Sequence, residues 1–378
     1  MKILHLLYES RGDYFGIGGV GNRAYEIYSR LKERHDITLL CRKYPGAEER
    51  KVIDGLRHVF VGTDSDSFTK ALLSYARHAA GFVRTYGNEY DIIIEEFSPA
   101  IPTFLTFFTN KPVVLQMQGY TARFYFRKYN PAYASVLYFL ERIRPLFYNN
   151  FIFISTETVK RINKGGTGRL FAARSNKRVE IIPNGISPEM LTTIPEENNY
   201  ILYFGRIDIY AKGLDTLLEA YTNFCRSFPD IKLVIAGDGR EMREFKDMLM
   251  KLPRDLRRNI EMLGWVSGDK KIEAISKALF VVLPSRHEVQ PISILEQMAC
   301  GKAIIMSNIP ELSYIVENSA GISFKSGDAG DLSRAMIDLA ARKDIHEMGQ
   351  RGRNLVKDLT WDKIALRFEE YLEKIRHS

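Results

Sequence analysis

The sequence has few cysteines and no long hydrophobic run. Cys41, Cys225 and Cys300 are its only cysteines. Their odd number and wide spacing favour reduced cytosolic thiols over a disulfide framework or a metal site. No stretch approaches the roughly 18 apolar residues that a membrane-spanning helix needs. The apolar start, Met1–Tyr8, is too short for a signal peptide and is interpreted as a first buried strand. We therefore expect a soluble, cytoplasmic protein.

Acidic residues are scarce in one part of the chain. The net charge is +8, and residues 111–178 hold 13 Lys and Arg against 2 Asp and Glu. Such an asymmetry indicates an anionic partner for the first half of the chain. Within it, Tyr120–Tyr148 interleaves basic and aromatic residues, which favours the inner face of an anionic membrane or a lipid-phosphate acceptor. A core-packing helix with a solvated basic face is the alternative. Nucleic acid fits the charge, but there is no recognised binding module for it and we expect none as a partner.

Short apolar strands alternate with longer amphipathic stretches, which is the pattern of parallel α/β units. The pattern breaks at Pro183-Asn184-Gly185 and resumes at Tyr200. We therefore expect an N-terminal domain over residues 1–185 and a C-terminal domain over 200–360, with the terminal helix in 361–378 packing back on the first. Two such domains would hold ligands in a cleft at the carboxyl ends of their sheets.

A glycine-rich stretch follows the first predicted strand. Residues 16–21 read Gly-Ile-Gly-Gly-Val-Gly and formally match GxGxxG, but seven residues separate them from the strand, and no acidic residue ends the second strand. One interpretation is a flexible turn before a helix. The other is a loop whose backbone N–H groups, at Gly18 and Gly19, face a phosphate or sugar.

A second candidate lies at the end of the first strand of the second half. Arg206 and Lys212 are six residues apart in a loop after Tyr200–Phe204. Two cations at the carboxyl end of a strand can converge on one pyrophosphate. The alternative is that both are merely solvated.

A third candidate contains two carboxylates. Glu288 falls in the loop after the strand Phe280–Pro284, and Glu296 falls about one turn into the next helix. Such a pair can accept hydrogen bonds from the hydroxyls of a polyol-rich ligand. The alternative, that Glu296 is an exposed helix residue, is disfavoured by its apolar neighbours.

Four motifs in this order resemble one family of enzymes. They are Pro183-Asn184-Gly185, Gly205-Arg206-x5-Lys212-Gly213, Gly237-Asp238-Gly239 and Glu288-x7-Glu296. Together they resemble the retaining glycosyltransferases of family 4. The resemblance implies the GT-B fold, in which two Rossmann-like domains with parallel sheets face each other across a cleft. It implies transfer of a sugar from a nucleotide-sugar donor to a hydroxyl of a lipid-linked or saccharide acceptor.

The resemblance also implies residue roles. Arg206 and Lys212 would neutralise the donor diphosphate and the charge on the departing nucleotide, while Glu288 would hold the donor sugar and Glu296 the ribose. The catalytic set is thus Arg206, Lys212 and Glu288. The other donor-binding residues would be Gly18, Gly19, Gly205, Trp265, Val266, Pro291 and Ile292.

Two positions depart from the family pattern. The family commonly has Gly after its first Glu, where this chain has Val289. Many members have a His at the end of the fifth strand, where this chain has Gln118, which can hydrogen-bond but cannot ionise. We expect Gln118, Arg123 and Arg127 to contact the acceptor.

We expect neither a metal nor a cofactor, because cationic side chains can stabilise the leaving charge. The triplet Asp64-Ser65-Asp66 is interpreted as a turn and helix cap.

Two other functions remain open. A sugar-nucleotide epimerase would need carboxylates near the sugar ring, for which the first domain offers only Glu95 and Glu96. The other function is that of a non-catalytic nucleotide-sugar or lipid-binding protein. The charged residues Arg206, Lys212, Glu288 and Glu296 argue against it.

Overall fold

The computed structural model describes residues 1–11, 18–65, 67–164 and 177–377, with every side chain in these ranges except those of Phe68, Arg123, Lys128 and Lys164. The chain forms two compact units. Unit 1 contains Met1–Asn184 and Trp361–Ser378, and unit 2 contains Gly185–Thr360.

Unit 1 is built on an eight-stranded sheet, counted over the ranges just given, with the order β3-β4-β2-β1-β5-β6-β7-β8. The strands are β1 Lys2–Leu6, β2 Asp36–Arg42, β3 Arg50–Ile53, β4 Leu56–Val61, β5 Ile92–Glu96, β6 Val113–Met117, β7 Asn150–Phe153 and β8 Arg178–Ile181. Their central members are buried along their whole length. Strands that are buried on both sides need helices on both faces of the sheet.

The first sheet departs from the expectation of parallel strands at one edge. β3 pairs antiparallel with β4, whereas the other pairs are parallel. Asp54 and Gly55 join the two strands and both have positive φ, +54° and +78°. An Asp-Gly pair with this geometry is a favoured two-residue hairpin turn, so the sequence contained a signal for this strand that the periodicity did not reveal.

Within the described ranges, the helices of unit 1 between these strands are α1 Gly19–Leu31, α2 Phe68–Tyr86, α3 Tyr125–Lys128, α4 Pro131–Ile143 and α5 Thr156–Lys164. A buried arginine of α1 holds the chain where unit 1 ends. Arg23 donates to the backbone oxygens of Ile182 and Pro183, at 2.8 and 2.6 Å, and to Oδ1 of Asn184 at 3.1 Å. Burial lowers the pKa of Arg23 to about 10, so the guanidinium remains charged near neutral pH.

Unit 2 contains a six-stranded parallel sheet with the order β11-β10-β9-β12-β13-β14. The strands are β9 Tyr200–Phe204, β10 Lys232–Ala236, β11 Ile260–Gly264, β12 Phe280–Leu283, β13 Ile304–Ser307 and β14 Gly321–Phe324. The helices of this unit are α6 Leu214–Phe224, α7 Met242–Met250, α8 Arg254–Arg258, α9 Gly268–Ser276, α10 Ile292–Ala299, α11 Ser313–Glu317, α12 Ala329–Ala341 and α13 Ile345–Val356.

The last helix, α14 Trp361–Arg376, packs on unit 1. Its apolar residues spaced three and four apart from Trp361 to Ile375 are buried, whereas Leu366 lies on the other side and is exposed. The Phe368 ring lies 6.0 Å from the Tyr28 ring of α1 in an edge-on contact. The Tyr371 hydroxyl accepts a 3.1 Å hydrogen bond from the backbone N–H of Phe151 in β7. The apolar side of α14 is therefore buried against α1 and the start of β7.

The strand orders place a switch point in each sheet. In unit 1 the chain moves outward from β1 to β2 and then returns to β5 on the other side of β1; in unit 2 it does the same around β9, with β12 on the far side. Ligands of open α/β sheets bind outside the carboxyl ends of the strands at such points. In unit 2 a ligand site is therefore expected at the loops after β9 and β12. No helix among the residues that the structure describes is long and apolar enough to cross a membrane.

Candidate functional site

The loops after β9 and β10 are fastened to each other by close backbone contacts. The N–H of Ile207 donates to the Asp238 oxygen at 2.9 Å. A Cβ on Gly237 would stand 1.8 Å from the Gly205 oxygen, and one on Gly239 would stand 2.1 Å from the Ile207 oxygen. Only glycine fits both positions, so the Gly237-Asp238-Gly239 motif fixes the loop that carries Arg206 and Lys212.

Lys212 and Glu288 form an ion pair at the switch point of unit 2. The Lys212 ammonium donates to Oε1 of Glu288, and the Ser285 hydroxyl donates to the same oxygen at 2.8 Å. Both charged side chains are largely buried, with 17% and 8% exposed. Gly213 brings the two loops together: it has φ +66°, and a Cβ there would stand 2.0 Å from the Pro284 oxygen.

The two carboxylate oxygens of Glu288 differ in the hydrogen bonds that they accept. Oε1 accepts from both Lys212 and Ser285, whereas Oε2 receives no hydrogen bond from the described residues. An ionised carboxylate oxygen can accept about two hydrogen bonds. Glu288 is therefore fixed through one oxygen and has the other available to accept from a hydroxyl group.

Arg206 lies in the same loop but outside this pair. Its side chain is 62% exposed and lies 3.6 Å from Asp208. Within the described ranges no hydrogen bond or ion pair joins it to Lys212 or Glu288. The structure thus pairs Lys212 with a carboxylate and leaves Arg206 at the surface, so the predicted convergence of both cations on one pyrophosphate stays a prediction.

Glu296 forms a second buried ion pair. It lies in α10, is 6% exposed, and its Oε1 accepts a 2.7 Å hydrogen bond from the Lys271 ammonium of α9. The alternative that Glu296 is an exposed helix residue is therefore wrong. Pro291 directly precedes α10, and Ile292 is its first residue. Sequence reasoning missed Lys271, because its partner is 25 residues away and no local pattern joins the two.

Arg286 was also missed, although it joins the two site loops. It donates to the Tyr210 oxygen at 2.7 Å, to both carboxylate oxygens of Asp215 at 2.8 Å, and to the Thr216 hydroxyl at 2.8 Å. Its guanidinium also lies 4.6 Å from the centre of the Tyr210 ring. A planar, five-donor group can satisfy all these acceptors at once, which holds the Lys212 loop against the Glu288 loop.

The turn after β11 presents an aromatic side chain to solvent. Trp265 is 69% exposed and follows Gly264, whose φ is +66°. Val266 is partly buried against the core of unit 2. The indole therefore offers a free face on which a planar ring can stack.

In unit 1, a carboxylate already occupies the start of α1. Oε2 of Glu9 accepts from the N–H groups of Gly18 and Gly21, at 2.8 and 2.7 Å. Any phosphate that reaches Gly18 must compete with Glu9, which sequence reasoning missed. A Cβ on Gly19 would meet nothing within 4 Å, whereas Gly16 and Ile17 lie outside the described residues.

Gln118 belongs to a buried polar cluster at the carboxyl ends of β1, β5 and β6. Its amide nitrogen donates to both oxygens of Glu96 at 3.1 Å. Glu96 is also bound by His5, at 3.1 Å, and by Gln116. Arg127 is exposed, and the side chain of Arg123 lies outside the described residues. The structure does not bring Gln118 and Arg127 into contact.

The described residues contain no group of three or more His, Cys, Asp or Glu that could hold a metal ion. Of the Asp64-Ser65-Asp66 triplet, Asp66 lies outside the described residues. The residue directly before α2 is Ser67, which makes no side-chain cap hydrogen bond.

Unit 2 is a doubly wound α/β unit with the Lys212–Glu288 ion pair at its switch point. Two family models match the chain: "Glycosyltransferase Family 4" over residues 17–190 and "Glycosyl transferases group 1" over residues 192–355. The chain belongs to the glycosyltransferases of family 4, as the four motifs indicated.

The chain is similar to several curated proteins. A phosphatidyl-myo-inositol mannosyltransferase of Mycobacterium leprae is 26% identical over 206 residues, covering 52% of this chain and 54% of the relative. One polypeptide of the phosphatidylinositol N-acetylglucosaminyltransferase of Arabidopsis thaliana is 25% identical over 202 residues, covering 52% and 44%. The chain thus spans about half the length of these curated relatives.

Solved structures confirm the fold. Sucrose-phosphate synthase from Thermosynechococcus elongatus matches with a TM-score of 0.80 at 18% identity, covering 99% of this chain and 98% of the other. HepE from Anabaena, in complex with UDP and glucose, matches with a TM-score of 0.72 at 16% identity and 99% coverage of each chain. At these identities the likeness shows the fold, which is GT-B.

Proposed function

We propose that this chain transfers a sugar from a nucleotide-sugar donor to an acceptor hydroxyl, with retention of the anomeric configuration. The observation that carries the proposal is the Lys212–Glu288 pair, held by Ser285 and Arg286 where β9 and β12 end. HepE, which shares the fold, is described as a complex with UDP and glucose. A nucleotide diphosphate has the charge that Lys212 and Arg206 would neutralise.

Each part of the donor has a group that suits it. Oε2 of Glu288 accepts hydrogen bonds from the sugar hydroxyls, and Lys212 lies beside it to meet the diphosphate that departs from the same sugar. Arg206 reaches the diphosphate from the surface. Glu296 accepts from the ribose hydroxyls, and the exposed indole of Trp265 lies against the base.

The departing diphosphate takes the proton from the acceptor hydroxyl in this scheme. The acceptor then attacks the face that the nucleotide leaves, which gives retention. Lys212 and Arg206 stabilise the charge that develops on the diphosphate oxygens, and such preorganised contacts supply much of the rate enhancement in enzymes. No side chain has to ionise near the acceptor, which agrees with a glutamine at position 118.

The two carboxylates that an epimerase could use are both engaged. Glu95 lies against Arg144, Thr103 and Tyr148 in the interior of unit 1, with 2% of its side chain exposed. Glu96 is held by His5, Gln116 and Gln118. Neither carboxylate is placed for acid–base work on a sugar ring, so we favour transfer over epimerisation.

The acceptor is proposed to be lipid-linked or a saccharide, at the inner face of an anionic membrane. The excess of basic residues over 111–178 supports a negatively charged partner. Two similar curated relatives are named as enzymes that act on phosphatidylinositol compounds. Gln118 and Arg127 remain the proposed acceptor contacts, together with Arg123.

Binding of the nucleotide can be tested separately from transfer. Wild type should gain thermal stability with one of UDP, GDP or ADP, because a ligand that binds only the folded state stabilises it. Glu296→Gln should weaken binding of that nucleotide by about 10- to 100-fold, since one hydrogen bond to a charged group is worth roughly 1.5–3 kcal/mol. Glu273→Gln, at an exposed ion pair of α9, is the matched control and should bind like wild type. Equal affinity of Glu296→Gln and wild type would contradict the assignment of the ribose contact.

Transfer should not depend on a divalent metal, because Arg206 and Lys212 supply the positive charge. We expect the initial rate in EDTA to stay within about twofold of the rate with added Mg²⁺, since protein cations can provide the electrostatic stabilisation that a metal supplies elsewhere. Complete loss of activity in EDTA, restored by Mg²⁺ or Mn²⁺, would mean that the cationic site has been misinterpreted.

A further inference from the structure

Unit 1 exposes a patch of large apolar side chains that its core does not use. Phe107, Val136, Phe139 and Phe147 are 64%, 53%, 60% and 42% exposed, and we call them the aromatic face. Val136, Phe139 and Phe147 follow one another at helical spacing along α4 and the 3₁₀ turn after it. The Phe107 ring lies 5.2 Å from the Phe147 ring. Large exposed apolar side chains that occur together on one helix and the turn after it can mark an interaction site.

A groove continues the aromatic face toward α2. Its volume is about 490 Å³. We call it the arginine groove; its lining includes Leu73, Arg77, Ala80, Arg84, Phe104 and Phe108. Phe104 joins the two features, because its ring lies 6.4 Å from Phe107 and 5.7 Å from Phe147.

The two arginines of the groove have no partner in the part of the chain that the structure describes. Arg77 and Arg84 are exposed on α2, and neither guanidinium has a hydrogen bond or ion pair with any described residue. They are seven residues apart, so they lie on one side of the helix two turns from each other. The groove therefore presents two unneutralised charges above an apolar floor.

The segments that form this surface contain almost no carboxylates. Residues 68–86 and 97–147 hold one acidic residue, Glu141, against nine Lys and Arg. Glu141 is 2% exposed and accepts from the N–H groups of Thr121 and Ala122 and from the Tyr125 hydroxyl. No acidic side chain of these segments is available to repel an anionic partner.

We infer that the aromatic face and the arginine groove dock unit 1 on an anionic lipid bilayer. The phenyl rings enter the boundary between head groups and acyl chains, and Arg77 and Arg84 bind lipid phosphates at the rim. Apolar side chains beside unpaired cations suit such a boundary. A second copy of the chain fits poorly, because an isologous contact would bring the same unpaired arginines together without a carboxylate. The inference rests on the proposed function and adds a docking surface to its membrane acceptor.

Binding to vesicles tests this surface directly. We expect wild type to co-sediment with vesicles that contain phosphatidylglycerol. Phe139→Ser and Phe107→Ser should each bind these vesicles roughly tenfold more weakly, because each variant lacks a phenyl group that the bilayer would bury. The matched control is Val52→Ser, at a 65% exposed apolar side chain elsewhere in unit 1, which should bind like wild type. Arg77→Gln with Arg84→Gln should lose binding chiefly at low salt, where charge attraction is least screened. Equal binding of all these variants would overturn the inference.

Insertion can be observed with a reporter on the surface. Vesicles with brominated acyl chains should quench the fluorescence of the tryptophan introduced by Phe139→Trp but not that of the one introduced by Val52→Trp. Quenching of both or of neither would contradict insertion. If Phe139→Ser changes the sedimentation coefficient without vesicles, the face joins copies of the chain and the inference is wrong. Nucleotide release from a sugar donor without vesicles separates the two proposals. If the protein binds vesicles but releases no nucleotide, the transferase proposal is rejected. If it releases nucleotide but does not bind vesicles, only the docking surface is rejected.

Discussion

Lys212→Ala should slow sugar transfer by about 10²–10³-fold, because one preorganised charge contact is typically worth roughly 3–4 kcal/mol in the transition state. The substitution removes the cation that faces the diphosphate and also leaves Glu288, with 8% of its side chain exposed, without its ionic partner. Arg206→Ala should reduce the rate to a similar degree. Because the Arg206 side chain is 62% exposed, this second loss should occur without a change in stability.

Initial rates at saturating donor are the measurement for both variants. The matched control is Lys277→Ala, which removes a lysine from an exposed ion pair with Glu273 in the same unit and should leave the rate unchanged. Circular dichroism and the thermal midpoint establish that each variant is folded. Turnover equal to wild type in both Lys212→Ala and Arg206→Ala, in folded protein, would remove these residues from the mechanism.

Arg144→Leu should lower the free energy of unfolding of unit 1 by about 3–5 kcal/mol, because it leaves a buried carboxylate without its cation. Arg144 is fully buried and donates to Glu95, to the Thr103 hydroxyl at 3.0 Å, and to the backbone oxygens of Ser98 and Ile101. Burial raises the pKa of Glu95, and Arg144 and the Tyr148 hydroxyl oppose that effect. Without Arg144 the carboxyl should titrate at higher pH in the folded state than in the unfolded one. The loss of stability caused by Arg144→Leu should therefore become smaller as the pH falls, since Glu95 in the folded variant then takes up a proton.

Tryptophan fluorescence can follow unit 1 alone. Trp361 is buried in α14 of unit 1, and Trp265 is the other tryptophan, so a Trp265→Phe background leaves a single reporter. Urea unfolding of Arg144→Leu is compared with that of Arg57→Leu. Arg57 pairs with Asp36 at 2.9 Å, with 64% of its side chain exposed, and surface pairs are worth about 0–1 kcal/mol. Equal unfolding midpoints for the two variants would show that the Arg144–Glu95 pair does not hold unit 1 together.

Local periodicity predicted most of the fold, because buried parallel strands leave continuous apolar runs. The α/β alternation and the amphipathic period of Trp361–Arg376 both correspond to elements of the structure. The edge strand β3 was missed, because two of its first three residues are basic and all three are exposed. Its position depends on the turn at Asp54 and Gly55 rather than on burial.

The candidate site was only partly predictable, because its charged contacts are long-range. The motifs located Lys212 and Glu288, yet the ion pair between them depends on Gly213 meeting the Pro284 backbone. Lys271 was missed, since its partner comes from another helix.

The same limit applies in unit 1. Glu9 lies outside the glycine stretch, and only the folded chain places its carboxylate at the N–H groups of Gly18 and Gly21. A glycine loop thus predicts unshielded N–H groups but cannot reveal a side chain that already occupies them.

The most direct test of the central claim is nucleotide release from a panel of UDP-, GDP- and ADP-sugars by wild type and Lys212→Ala. We predict release from sugars of one base by wild type, a loss of about 10²-fold or more in Lys212→Ala, and a released or transferred sugar whose first-formed anomer, read by NMR, matches that of the donor. No release from any donor, equal release by both proteins, or an inverted anomer would contradict the account.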